Sequence, residues 1–195
     1  MRAFPSAIGA IVLVMSIVVA GCVSHKAPEK ADNAVEAIYK SAPNPPRGYA
    51  RLYVLPIWLT TPWGTHAELA GDVAVGSNES DQVLLGGVAK GSFLAFDIPE
   101  GSYYLTAVPY APASTPSAQR MVFRGGTALI LRPLSYEASG GNGLLGFLVQ
   151  PPFQSDKPQF EAQDAAAGMS EIQPLQLLAI SPGARAYAEQ STKAQ

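Results

Sequence analysis

Proline and glycine cut this chain into short segments, and this limits what it can fold into. The 195 residues include 17 prolines and 18 glycines, and two proline-free windows cover residues 63–98 and 117–132. Proline has no backbone N–H to donate to a strand ladder, so it is kept out of central strands. We therefore expect the strands of the fold to lie mainly inside or beside these two windows.

Segments rich in branched and aromatic residues lie there, separated by turn-forming residues at intervals near ten residues. They cover residues 49–54, 68–75, 82–88, 92–98, 103–108, 120–123 and 127–132. This spacing is typical of sandwiches and barrels, and we predict an all-β domain, an antiparallel β-sandwich of about seven to eight short strands. Leu94, Phe96 and Ile98 alternate along their segment, which predicts that they face the core.

Elements outside these segments are less clearly marked. A short helix is possible around Ala34–Tyr39, but so few residues form a stable helix in water only when docked on a domain. Residues 144–149 resemble a strand, residues 161–169 a helix, and residues 175–180 a last strand or an apolar turn.

Composition excludes two classes of protein. The chain is 48% apolar and only 14% charged, so it has enough apolar material for a core and does not resemble a disordered protein. Its formal net charge of −2 provides no basic surface for a polyanion, and we expect no binding to nucleic acid.

The N-terminus carries an apolar run from Ala7 to Ala20, behind Arg2, that stops at Gly21 and Cys22. This arrangement is typical of a secretory signal. As a helix, the run would reach about 21 Å, which is shorter than the roughly 30 Å hydrocarbon core of a bilayer. We therefore predict a helical signal segment that is removed, over residues 1–21, in preference to a permanent membrane span.

The junction Val19-Ala20-Gly21-Cys22 resembles the lipobox of bacterial lipoproteins. The resemblance implies that a signal peptidase recognises Val19, Ala20 and Gly21 and cleaves before Cys22. Cys22 would then be the mature N-terminus and carry a thioether-linked diacylglycerol and an amide-linked acyl chain such as palmitate. Cys22 is the only cysteine, so it cannot form an internal disulfide, and lipidation would account for it.

The same resemblance implies a location. Val23 follows the cysteine where, by the sorting rule of the family, an aspartate would favour the inner membrane. The expected location is thus the periplasmic face of the outer membrane. We divide the chain into a signal peptide (1–21), a tether (22–48), a β-sandwich domain (49–180) and a loose tail (181–195).

Residues 49–110 resemble small bacterial lipoproteins that carry one uncharacterised sandwich domain. The resemblance is carried by the opening strand Ala50-Arg51-Leu52-Tyr53-Val54 and by the run Phe96-Asp97-Ile98-Pro99-Glu100-Gly101-Ser102-Tyr103-Tyr104-Leu105. The second run is similar to a strand, Pro-X-Gly turn and strand hairpin that also occurs in PEGA-type surface domains. The family implies a fold and a location but no catalysis.

Candidates for catalysis are few. His25 and His66 lie in no recognisable motif with a nucleophile, and the acidic pairs Glu79/Asp81 and Asp97/Glu100 fall in predicted turns, where acids are ordinary. Zinc would need three or four His, Cys or carboxylate ligands. We therefore predict no enzyme activity, no catalytic residues, no metal and no cofactor.

Both tryptophans, Trp58 and Trp63, lie in one proline-flanked apolar segment. Such residues either pack back on the core as a lid or anchor an interface with a partner or ligand. We predict a non-catalytic interaction or structural module of the cell envelope, anchored to the membrane by lipid and bound to an envelope protein. The alternative is a carrier or binder of a small apolar ligand, with a pocket in the sandwich or at this segment.

Overall fold

The structure is a computed structural model, and it describes residues 28–41, 44–60, 66–111, 116–136 and 159–182. Within these ranges the chain is mainly β, with two sheets and two helices. The strands are β1 (Tyr49–Val54), β2 (Ile57–Thr60), β3 (His66–Leu69), β4 (Gly71–Gly76), β5 (Gln82–Val88), β6 (Ser92–Pro99), β7 (Gly101–Pro109), β8 (Ser117–Phe123), β9 (Ala128–Tyr136), β10 (Phe160–Asp164) and β11 (Gln176–Leu177). The helices are α1 (Asn33–Ser41) and α2 (Ala165–Ile172).

The larger sheet has seven strands and is mixed. Its order is β11-β6-β1-β9-β2-β3, and β10 pairs with β9. β9 runs parallel to both β1 and β2, and β11 runs parallel to β6. The smaller sheet is antiparallel, in the order β5-β4-β7-β8.

The prediction of a purely antiparallel fold of seven to eight strands is therefore wrong for the larger sheet. We expected antiparallel pairs because short turns separate neighbouring segments, and a short turn can join only antiparallel strands. The parallel pairs instead join strands that are far apart in sequence. The expected hairpin around Pro99-Glu100-Gly101 is also not formed. β6 pairs with β1 and β11, while β7 pairs with β4 and β8, so the chain crosses here from one sheet to the other.

One core cluster takes buried side chains from both sheets. Leu94, Phe96 and Ile98 belong to it, as the alternation along this strand predicted, and Val73 and Leu105 enter it from the smaller sheet. Burial of these apolar side chains is the main source of stability for the two sheets.

A second buried cluster lies on the other face of the mixed sheet. Tyr53 and Phe93 from the sheet pack there against Ile172 of α2, with Tyr39 of α1 at the margin. Both faces of β6 are therefore buried between Phe93 and Phe96, and this explains why Phe93 and Ala95 are apolar as well as Leu94 and Phe96.

Most predicted strands are present, with changes at their ends. Residues 68–75, expected as one strand, belong to β3 and β4, which Ala70 separates. The helix expected at 161–169 begins only at Ala165. The preceding residues pair with β9 as β10, and the Asp164 side chain accepts a hydrogen bond from the N–H of Ala166 and caps α2.

The segment predicted as a tether contains α1, and residues 28–41 lie against the β domain. The Ala31 N–H donates to the Leu177 carbonyl at 3.0 Å, and the Ala179 N–H donates to the Glu29 carbonyl at 2.8 Å. Lys40 Nζ donates to the Gln173 carbonyl at 2.9 Å. A nine-residue helix is marginal alone, so these contacts hold α1 in its helical form.

α1 lies over a buried ion pair. Arg51 donates from Nε and Nη2 to the two carboxylate oxygens of Asp97, at 2.7 and 2.9 Å. The guanidinium carbon lies 4.7 Å from the centre of the Tyr39 ring, and the Tyr53 hydroxyl donates to the Tyr39 carbonyl at 2.8 Å. Burial raises the pKa of Tyr39 to about 12, and the nearby Asp97 charge acts in the same direction.

The predicted signal peptide, its cleavage residues Val19, Ala20 and Gly21, and the lipidation site Cys22 all lie outside the described residues. So do the possible strand at 144–149 and residues 183–195 of the tail. Neither of the two described helices has the length and apolar character needed to cross a membrane.

Candidate functional site

The site begins with a break between β1 and β2. Val54 pairs with Leu131 of β9, whereas Trp58 pairs with Leu134, so the first chain advances four residues while β9 advances three. The extra residue falls around Pro56, which has no N–H to donate to the ladder. This β-bulge accommodates the proline within an otherwise continuous edge along β9.

The bulge also reverses the alternation of side chains. In β1, Leu52 and Val54 face the core shared by the two sheets. In β2, the residue that faces this core is Ile57. Trp58 is consequently turned to the opposite face, the one that carries α2. A register change of one residue moves every following side chain to the other face of the sheet.

Trp58 is half-buried and lies in a stack of side chains. The guanidinium carbon of Arg132 is 3.6 Å from the centre of the Trp58 ring, and the His66 ring stacks on Trp58 with centres 4.7 Å apart and planes at 21°. Cation–π contact of this kind attracts Arg to the electron-rich ring face. The stack fixes both Trp58 and Arg132 in one orientation.

Arg132 is set between two acids. Glu161 lies directly opposite it across the β9–β10 pair, and Glu171 of α2 accepts a hydrogen bond from Arg132 Nη2. The Nε of Arg132 is buried and has no hydrogen-bond partner among the residues that the structure describes.

These side chains line an open cleft between the mixed sheet and α2, which we call the Trp58 cleft. Its volume is about 200 Å³, and its lining consists of Leu55, Trp58, Ile130, Arg132, Glu161, Gln163 and Glu171. One positive and two negative side chains give the lining a formal charge of −1. The Trp58 cleft combines an aromatic anchor, an apolar base and a polar acidic rim.

The other residues singled out from sequence lie elsewhere. Trp63 and His25 lie outside the described residues. Of the candidate acids, Asp97 is held by Arg51, and Glu100 accepts a hydrogen bond from the Gly125 N–H at 3.1 Å. In the described part of the chain, no three His, Cys, Asp or Glu side chains are placed to hold a metal ion.

Sequence reasoning found Trp58 but missed Arg132. Arg132 is the last residue of the strand predicted at 127–132, and a single charged residue is typical of the end of a strand. The strand in fact continues to Tyr136, so Arg132 lies within β9 and not at its end. Glu161 was missed because it was assigned to the helix predicted at 161–169, and Glu171 was missed because it lay outside every predicted element.

No family model matches this chain, and neither does any curated protein or solved structure.

Proposed function

We propose that this protein is a lipoprotein of the bacterial cell envelope, anchored through Cys22 at the periplasmic face of the outer membrane. The support is the lipobox-like run Val19-Ala20-Gly21-Cys22 at the end of an apolar segment of signal length, with Val23 after it. The absence of any second cysteine in the sequence fits a thiol that is used for lipidation.

We further propose that the two sheets pack face to face as a β-sandwich, with the two helices on the outer face of the mixed sheet. The cluster that draws buried side chains from both sheets supports this arrangement. A rigid domain of this kind suits a protein that presents a fixed binding surface better than it suits a protein that closes over a substrate.

The domain would act as a non-catalytic interaction module, and the Trp58 cleft would receive an envelope protein. The observation that carries this proposal is the stack of Arg132 on the half-exposed Trp58 within an open cleft. Trp and Arg are the residue types most enriched at energetically dominant interface positions. The partner should present a basic side chain to Glu161 and Glu171, which are both exposed.

The alternative function, carriage of a small apolar ligand, has weaker support from this cleft. Pockets for such ligands usually hold about 300–1,000 Å³ and have few charges. The Trp58 cleft is smaller than this range, and three of its seven lining residues are charged. A partner's side chain fits it better than an apolar molecule.

The anchor is tested by substitution of Cys22. In the expected host, Cys22→Ala should leave an unprocessed precursor and abolish labelling by a fatty-acid analogue, because the thiol that receives the diacylglycerol is gone. Equal labelling of the wild type and the variant would contradict the lipoprotein proposal.

The partner surface is tested by affinity capture with the lipidated protein from solubilised envelopes. A partner recovered with the wild type should be lost with Trp58→Ala, since an interface residue worth about 2 kcal/mol changes affinity about 30-fold. Val122→Ala is the matched control, because Val122 is 70% exposed and lies on β8 of the other sheet. Equal recovery with both variants would show that the partner binds elsewhere.

A further inference from the structure

Helix α1 exposes most of its uncharged residues and turns its charged residues toward the domain, the reverse of an ordinary surface helix. At 100° per residue, Ala34, Val35, Ala37, Ile38 and Ser41 share an arc of about 160°. All five are exposed, with Val35 at 42% and Ile38 at 57%. None of them is charged.

The charged and aromatic residues of α1 lie on the remaining arc, toward the domain. Glu36 and Lys40 form an ion pair at 2.7 Å, Lys40 bonds to the Gln173 carbonyl, and Tyr39 packs on Tyr53 with ring centres 6.4 Å apart. A helix on a water-exposed surface normally presents its charges outward and its apolar residues to the core. The apolar arc of α1 therefore calls for a covering surface.

The length of chain before α1 indicates what that surface is. The first described residue is Pro28, and the Glu29 carbonyl is already bonded to Ala179. Six residue steps separate Pro28 from Cys22, a span of at most about 20 Å. A folded unit of about 120 residues, the number that the structure describes, has a radius of gyration near 14 Å and a diameter of about 35 Å.

A lipid anchor at Cys22 would thus hold the side of the domain that carries residues 28–41 next to the membrane. We infer that the outward arc of α1 (Ala34, Val35, Ala37, Ile38 and Ser41) is a membrane-contact surface that lies on the lipid interface. The inference rests on the proposed anchoring through Cys22.

Two physical features make so small an apolar surface sufficient. α1 is already helical and docked on the domain, so contact with lipid requires no folding of a short peptide. The anchor also makes the contact intramolecular, which gives the helix a high effective concentration at the bilayer. Interfacial helices bury their apolar face at the boundary between headgroups and acyl chains, where Val and Ile side chains are more stable than they are in water.

The test places a fluorophore at single introduced thiols in the full lipidated protein. Once Cys22 is acylated the mature chain has no other cysteine, so Ile38→Cys provides one labelling site. The labelled protein is reconstituted into vesicles of phosphatidylethanolamine and phosphatidylglycerol that contain lipids with a quencher on the acyl chain. Mass spectrometry of the same samples establishes acylation independently of quenching.

Two control positions separate contact by α1 from mere attachment. Glu29→Cys is exposed and closer in sequence to the anchor, but it lies outside α1; Val122→Cys is exposed on the smaller sheet. We expect strong quenching and a blue-shifted emission at position 38, weaker quenching at position 29 and little at position 122. Circular dichroism should show that all three labelled proteins keep the wild-type spectrum.

Three results would overturn the inference. Acylated protein with quenching at position 38 no greater than at position 29 would show that the anchor alone brings the chain to the membrane. Concentration-dependent energy transfer between labels at position 38, without quenching by lipid, would show that a second copy covers the helix. A mass without acyl chains would refute the anchoring proposal itself, and this inference with it.

Discussion

The ion pair between Arg51 and Asp97 should be strongly coupled and asymmetric. The two residues lie opposite each other across the β1–β6 pair, and α1 covers them. Only 6% of the Arg51 side chain is exposed, against 21% for Asp97. Removing either partner leaves a charge that water solvates poorly, and the residue left behind determines the cost.

Asp97→Leu should destabilise the protein by about 3–5 kcal/mol, because it leaves the better-buried guanidinium without its carboxylate. Arg51→Met keeps most of the aliphatic packing and leaves the more exposed carboxylate, so a smaller cost of about 2–3 kcal/mol is expected. The double variant should lie within about 1 kcal/mol of the wild type, since apolar residues of similar volume replace the pair. The coupling energy would then be about 4 kcal/mol or more.

Urea unfolding followed by tryptophan fluorescence, on a chain that starts at residue 23, measures each free energy of unfolding. The same cycle in a chain that starts at residue 44 lacks α1 and should show a smaller coupling energy, because water then reaches the pair. Single variants that each cost less than about 1 kcal/mol would refute the reasoning, since that is the behaviour of an exposed ion pair. A coupling energy unchanged by loss of α1 would show that the helix does not shield the pair.

Two further predictions concern backbone packing and alkaline pH. Gly71→Ala should destabilise the domain by about 2–3 kcal/mol, because an added Cβ would lie 2.5 Å from the Val108 carbonyl oxygen. Gly91→Ala, with φ at +74° and no atom within 4 Å of the added Cβ, should cost only about 1 kcal/mol. Equal losses of stability in thermal unfolding of the two variants would contradict the packing argument. The free energy of unfolding should fall as pH rises from about 10 to about 12, because the raised pKa of Tyr39 keeps its proton in the folded state while the unfolded chain loses it. Tyr39→Phe should reduce that fall in urea titrations across this range, and an identical pH profile would show that Tyr39 is not the group responsible.

The strands that could be predicted from sequence are those with a local pattern. β1 and β5 have the expected bounds, and β6 extends one residue beyond its predicted end. In each case branched and aromatic residues lie between turn-forming residues, and both signals depend only on neighbours within a few positions. The buried face of Leu94, Phe96 and Ile98 followed from the same local alternation.

Pairings between distant segments could not be predicted in this way. β9 lies between β1 and β10, and its parallel pairing with β1 joins residues more than 70 positions apart. β10 carries Glu, Ala, Gln and Asp, residues that suit a helix or a loop, and it is a strand because β9 offers it an edge. Strand propensity is weak enough for such tertiary pairing to override it.

The candidate site shows the same division. The sequence alone singled out Trp58 as a candidate interface residue and predicted lipidation of Cys22, because both inferences depend on residue type and immediate neighbours. Only the tertiary structure decided that Trp58 meets Arg132: the bulge at Pro56 turned the tryptophan to the helical face, and the extension of β9 placed the arginine beside it. The register between two strands, which no local pattern specifies, set which face each side chain occupies.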